Sequence, residues 1–155
     1  MRIGIHLPHV GRKAGPEAIR RAAIQAEELG FADAWSSEHI IIPKGAPYPP
    51  SAIFYDPVLT LTWAAAFTKR IGLGTSVLVL PMRHPLPLAK ELATLQNLSE
   101  GRLILGLDRR APNRLRPGLA PDMRQMNADP HQTLPRLFRR AGWRAATARA
   151  SRPCR

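Results

Sequence analysis

The chain has 155 residues, 45% of them apolar, which suits one globular domain with a core. Its formal net charge of +12 would point to nucleic acid or an anionic surface if it were spread over a face. Residues 1–107, however, hold 11 Lys and Arg against 8 Asp and Glu, while residues 108–155 hold 12 against 3. A single cysteine, Cys154, excludes an intrachain disulfide and favours the cytoplasm; the start of the chain lacks the apolar run of a signal peptide, and no stretch approaches the ~20 apolar residues that span a bilayer, so no membrane partner is expected.

In chain order, Ile3, Ile5 and Leu7 alternate as a first strand ended by Pro8, and HVGRKAG reads as a loop. Pro16 suits a first helical position, Ile19, Ala22, Ala23, Ala26 and Leu29 recur at three-to-four spacing, and Gly30 is placed to end that helix. FADAWSS reads as a short second strand with Glu38 and His39 at its carboxyl end, followed by a Pro-rich loop from Pro43 to Asp56. Asp56 before Pro57 is a helix cap, and Leu59, Trp63, Ala66 and Phe67 are the expected buried stripe of a second helix. RIGLGTSVLVLP is a near-continuous apolar run of the kind buried on both faces in parallel sheets. After MRHP, Leu88, Leu92 and Leu95 share one face of a helix over 86–98, and SEGR leads into LILGL, a fourth strand.

Strands alternating with helices imply right-handed parallel crossovers and an α/β fold. No Gly-x-Gly-x-x-Gly follows the first strand, which disfavours a doubly wound dinucleotide fold and favours part of a (β/α)8 TIM-type barrel. A complete barrel needs roughly 250 residues, so about the first four strand-helix units are expected, over residues 1–107. Residues 108–155 form an irregular basic C-terminal tail with six prolines, twelve arginines and no lysine. An Arg, Ala and Pro composition is what a GC-rich coding sequence yields out of frame. A frameshift or mispredicted gene end is the leading expectation for the tail, and a disordered or anion-binding arm is the other. Only Phe138 and Trp143 interleave the arginines, so a nucleic-acid partner is not expected.

The segments MRIGIHLP, AEELGFADAWSSEHI, DPVLTLTWAAAFTKRIGLGTSVLVLPMRHP and LAKELATLQNLSEGRLILG, in this order, resemble the bacterial-luciferase-like superfamily and within it the F420-dependent oxidoreductases. The resemblance implies hydride transfer between a small organic substrate and coenzyme F420, or, as the alternative, an FMN-dependent monooxygenase. It also allows a homodimer among full-length members. It places Glu38 and His39 beside the cofactor's ring at the barrel mouth, with His39 as the catalytic group. There an imidazole can hold or donate a proton as the hydride moves. It implies a cis peptide between Ser76 and Val77 that presses on the ring. Further cofactor and phosphate groups would follow the fourth strand, where DRRAPNR stands instead, so a catalytically inactive fragment is a competing expectation. Among the other histidines, His9, His84 and His131 are expected to be solvated, and His6 joins the site only if its strand turns it inward. Trp35, Trp63 and Phe67 are expected in the core.

Overall fold

A computed structural model describes residues 2–40 and 53–108. Its elements run β1 (Gly4–His6), α1 (Pro16–Glu28), β2 (Asp33–Ser36), α2 (Pro57–Ala65), β3 (Gly72–Val79), α3 (Pro85–Leu98) and β4 (Leu103–Asp108), with a 3₁₀ turn over Leu80–Met82. The four strands make one parallel sheet in the order β1-β2-β3-β4. Consecutive parallel neighbours joined by helices are the repeating unit of a (β/α)8 barrel, and the architecture is α/β as the sequence predicts. The readings of residues 109–155 fall outside the described residues, as does the part of the Pro43–Asp56 loop before Ile53.

Local chemistry explains the helix ends. Gly30 takes φ +80°, and the N–H groups of Gly30 and Phe31 return to the carbonyls of Glu27 and Ala26 at 3.2 and 2.9 Å, closing α1. Asp56 accepts the Leu59 N–H at 3.0 Å and caps α2, with Pro57 in the first turn.

One face of the sheet and the helices share the core. Ile5, Ala34, Leu73 and Leu103 stand in one cross-strand row, and the last three are buried with Ile19, Ala23 and Ala26 of α1, Leu61 and Ala64 of α2, and Leu88, Leu92 and Leu95 of α3. The stripes expected for α1 and α3 are therefore the ones that pack.

The stripe expected for α2 is not. Leu59 is 71% exposed, Trp63 and Ala66 are exposed and Phe67 is half-buried, whereas Val58, Leu61, Ala64 and Ala65 are buried. Both phases of this helix are apolar, and the one carrying two alanines lets the helix approach the sheet closely. Trp63 instead lies across the α1–α2 seam, donating its indole N–H to the Pro16 carbonyl at 3.0 Å and meeting Phe67 edge-on at 5.0 Å. Trp63 is thus a surface strap rather than the core residue expected.

Two polar pins hold the strands' amino ends. The Glu27 carboxylate accepts the backbone N–H groups of Lys69, Arg70 and Ile71 at 2.6 to 3.1 Å. Burial works to raise its pKa, but these three donors and the Arg70 charge leave it below the ordinary carboxylate value. Arg102 spends its guanidinium on the Ser99, Ile71, Ala65 and Thr68 carbonyls and the Thr68 hydroxyl, tying β4's entry to the end of α2.

Candidate active site at the strands' carboxyl ends

The second face of the sheet is set by the alternate residues. His6, Trp35, Gly74 and Ile104 form one cross-strand row, and Gly4, Asp33 and Gly72 form the next. Trp35 lies flat here, because a Cβ on Gly4 or on Gly74 would come within 2.3 Å of its indole. The two glycines make the bed on which the ring rests. Trp35 is half-buried on this face and not in the helix-side core.

His6 ends β1 on the same face, and its Nε2 lies 2.8 Å from Ser76 Oγ of β3. The strand's alternation therefore turns His6 inward, the condition under which the sequence admits it to the site. Behind it stands His9, stacked at 5.6 Å between ring centroids and 24° between planes. His9 was expected to be solvated, but it is 1% exposed. Its Nδ1 lies 2.8 Å from the Leu7 carbonyl, and its Nε2 receives the Ser37 backbone N–H at 3.1 Å. A carbonyl only accepts and a backbone N–H only donates, so the partners assign the tautomer with hydrogen on Nδ1.

What buries His9 is the segment from Ile53 to Tyr55, which returns to the β1 exit. Gly11 N–H bonds the Ile53 carbonyl at 2.9 Å and Tyr55 N–H bonds the His9 carbonyl at 3.0 Å, around a bridge between Val10 and Phe54. Phe54 meets His9 edge-on at 5.2 Å and His39 at 4.9 Å, so one phenyl ring separates the two histidines. His39 itself is exposed at the end of β2.

Glu38, beside it, has both carboxylate oxygens engaged. Oε1 accepts from Arg83 Nε at 2.7 Å and also from Arg83 Nη2, while Oε2 accepts the Val79 N–H at 2.5 Å. Arg83 Nη2 also bonds Asp56, whose other oxygen caps α2. This network ties the ends of β2, β3 and the start of α2 together. Burial works to lower the Arg83 pKa, but the two carboxylates more than offset it and raise the value above ordinary.

In β3 the peptide between Ser76 and Val77 is cis, and the register against β4 shifts between Thr75 and Leu78. Thr75 Oγ1 repairs the ladder there, donating to the Gly106 carbonyl at 2.9 Å and accepting its N–H at 3.1 Å. A Cβ on Gly106 would lie 2.2 Å from the Thr75 carbonyl oxygen, so only glycine fits opposite the bulge. Val77 is 39% exposed and follows Ser76, whose hydroxyl lies on His6 Nε2. An exposed apolar side chain next in the chain to a hydroxyl offers apolar contact and a hydrogen-bonding group, a pairing that suits a flat tricyclic ring with a polar edge.

Of the residues singled out in the sequence, Ser76 joins His6, with Val77 next to it in the chain, while Glu38 and His39 follow the end of the neighbouring strand. Sequence reasoning missed His9, Phe54 and Arg83. The one available signal was His9 at two residues from a strand end, since Phe54 and Arg83 come from 45 and more positions away. Among the described residues no group of three or more His, Cys, Asp or Glu is arranged to hold a metal ion, and no helix is long and apolar enough to cross a membrane.

Residues 1–136 match the family model of the luciferase-like monooxygenases. An F420-dependent glucose-6-phosphate dehydrogenase of Kineococcus radiotolerans is 39% identical over 94 residues, 59% of this chain and 26% of that protein. Limonene 1,2-monooxygenase of Rhodococcus erythropolis is 36% identical over 105 residues, 67% of this chain and 23% of that protein. Among solved structures, the coenzyme F420-dependent tetrahydromethanopterin reductase of Methanopyrus kandleri superposes with TM-score 0.54 at 33% identity, over 68% of this chain and 26% of that one. The monooxygenase RslO1 of Streptomyces bottropensis superposes with TM-score 0.57 at 32% identity, over 90% of this chain and 40% of that one. The chain thus spans about a quarter of the length of the curated relatives it matches. On its sequence and its fold, this chain belongs to the luciferase-like monooxygenase family.

Proposed function

We propose that the chain supplies the cofactor-facing strands of an oxidoreductase that moves a hydride between a small organic substrate and coenzyme F420. The observation that carries this reading is the set of relatives at 33 to 39% identity whose names specify F420. When bound, the coenzyme would supply the hydride chemistry, and the protein would orient it. In this reading Val77 and Ser76 meet the ring, and His39 holds or donates the proton that accompanies the hydride. Glu38 acts from within the Arg83–Asp56 network, holding the end of β2 so that His39 keeps its place.

A second reading, an FMN-dependent monooxygenase of the same superfamily, is favoured by the likeness to limonene 1,2-monooxygenase and RslO1. A diketocamphane monooxygenase solved with FMN shares the fold at TM-score 0.60.

The test uses the full chain under anaerobic conditions with F420 and glucose 6-phosphate, followed by the coenzyme's visible absorbance, beside a parallel reaction of limonene with reduced FMN and oxygen. Loss of F420 absorbance supports the first reading. Turnover with FMN alone replaces it by the second, and failure of both cofactors to react would mean that the chain by itself is an inactive part of such an enzyme. The division at residue 107 is a proposal of the same kind. Translating the coding DNA in the other two frames past codon 107 should reveal further strand-helix units if a frameshift made the tail.

A further inference from the structure

Three histidines lie on this rim: His39 on one side of Phe54, and His9 with His6 stacked on it on the other. The proposed hydride transfer uses only His39. On the other side, His9 is buried with both ring nitrogens committed, and the His6 ring is stacked against it with Nε2 on Ser76 Oγ. His9 therefore works as a fixed post that sets the plane of His6. We propose that His6, acting through the Ser76 hydroxyl, is the acceptor of a substrate hydroxyl's proton, distinct from His39, which serves as a proton donor.

The chemistry follows from the 2.8 Å contact. A neutral imidazole whose Nε2 is unprotonated accepts the Ser76 hydroxyl hydrogen, leaving the lone pairs of Oγ for an incoming O–H. With an oxidised deazaflavin bound as hydride acceptor, the substrate O–H proton would pass to Oγ and the Oγ proton to Nε2 as the carbinol hydrogen left with its electron pair. The substrate becomes a carbonyl compound, Ser76 regains its hydroxyl and His6 becomes an imidazolium. Ser76 touches the substrate, and His6 is the positioning and proton-holding residue behind it.

The surroundings suit that role. Partial burial, and then the neighbouring His9, lower the His6 pKa from its ordinary value, which favours the neutral ring. Of the charged groups on the rim, Glu38 at the end of β2 and Asp56 before α2 are both bonded to Arg83 from beyond β3, His39 lies behind Phe54, and Asp108 ends β4 opposite Val79. The Asp33 carboxylate, at the other end of the sheet, pairs with Arg2 at 2.8 Å.

This inference rests on the hydride-transfer reading, so its test needs a readout that does not. In the full chain labelled with 15N-histidine, the His6 signals should titrate with a midpoint below 6.5 and, at pH 7, show Nε2 as the nitrogen without hydrogen. Ser76→Ala should shift that Nε2 signal. In the F420 assay, His6→Gln and Ser76→Ala should each lower kcat about 10²-fold, the low end for a lost proton acceptor, with F420 affinity in His6→Gln changed by no more than roughly twofold. The acid limb of the wild-type kcat profile should follow the His6 midpoint and disappear in His6→Gln. A His6 that carries hydrogen on Nε2 at pH 7, a midpoint at or above 6.5, or an acid limb unchanged in His6→Gln would overturn the proposal. A wild-type chain that does not turn over while the nitrogen signals behave as described would sink the hydride-transfer reading and leave the His6–Ser76 pair standing.

Discussion

The two faces of the sheet are stabilised by different physics. On the helix side, Leu61, Leu73, Leu78 and Leu92 are wholly buried, and the energy lies in many small contacts that adjust to one another. On the rim above the strands' carboxyl ends, a few directional bonds join residues far apart in the chain: His6 to Ser76, Glu38 to Arg83, Arg83 to Asp56. A packed face is robust to where each contact falls, whereas a hydrogen-bonded rim depends on single atoms. That difference assigns stability to the packed side, and in the proposed reading it leaves chemistry to the rim.

The comparison breaks most visibly at a core leucine. Leu92→Ala should cost about 2–5 kcal/mol in urea unfolding, because both transfer energy and a residual cavity are lost. Glu38→Ala should cost about 1.5–3 kcal/mol in the same experiment, since Arg83 loses one of its two carboxylates and Val79 N–H its acceptor. If the two losses were equal and F420 binding fell equally in both variants, the division between the faces would fail.

The smallest expected effect is a pH dependence. A histidine whose folded pKa lies below its unfolded one contributes stability that is complete above the unfolded value near 6.5 and is lost as pH falls through the folded value. Unfolding free energy should therefore decline below pH 6.5, and His6→Gln should flatten that decline. Glu27 contributes at lower pH: its depressed pKa adds stability above 4.5 that disappears as pH falls through its folded value. A decline between pH 6.5 and 4.5 that is the same in His6→Gln would remove His6 from the linkage.

The fold was legible wherever the signal is local. The cap at Asp56, the terminator at Gly30, the leucine stripe of α3 and the four apolar runs all depend on residues within a turn or two of one another. In α2 the same reasoning chose the wrong phase, because Leu59, Trp63 and Phe67 are as apolar as Val58 and Leu61. What decides the phase is how closely Ala64 and Ala65 let the helix approach the sheet, which depends on the shape of the sheet face as well as on the helix. His9 was misread for a similar reason. A histidine in a loop is solvated unless something covers it, and the cover comes from Ile53 to Tyr55, more than forty positions on. The strand ends bearing Glu38, His39, Ser76 and Val77 were readable from the family resemblance, while the bonds that fix them, through Arg83 and His6, are tertiary.

If the rim carrying Ser76 and Val77 receives the tricyclic ring, an equilibrium titration with the cofactors will show it. Ring fluorescence of F420 and of FMN should be followed against the full chain, Val77→Glu on the rim, and Leu59→Ser on the exposed side of α2. Saturable F420 binding that Val77→Glu abolishes and Leu59→Ser leaves intact, with both variants folded, is the predicted result. F420 binding that survives Val77→Glu unchanged would contradict it.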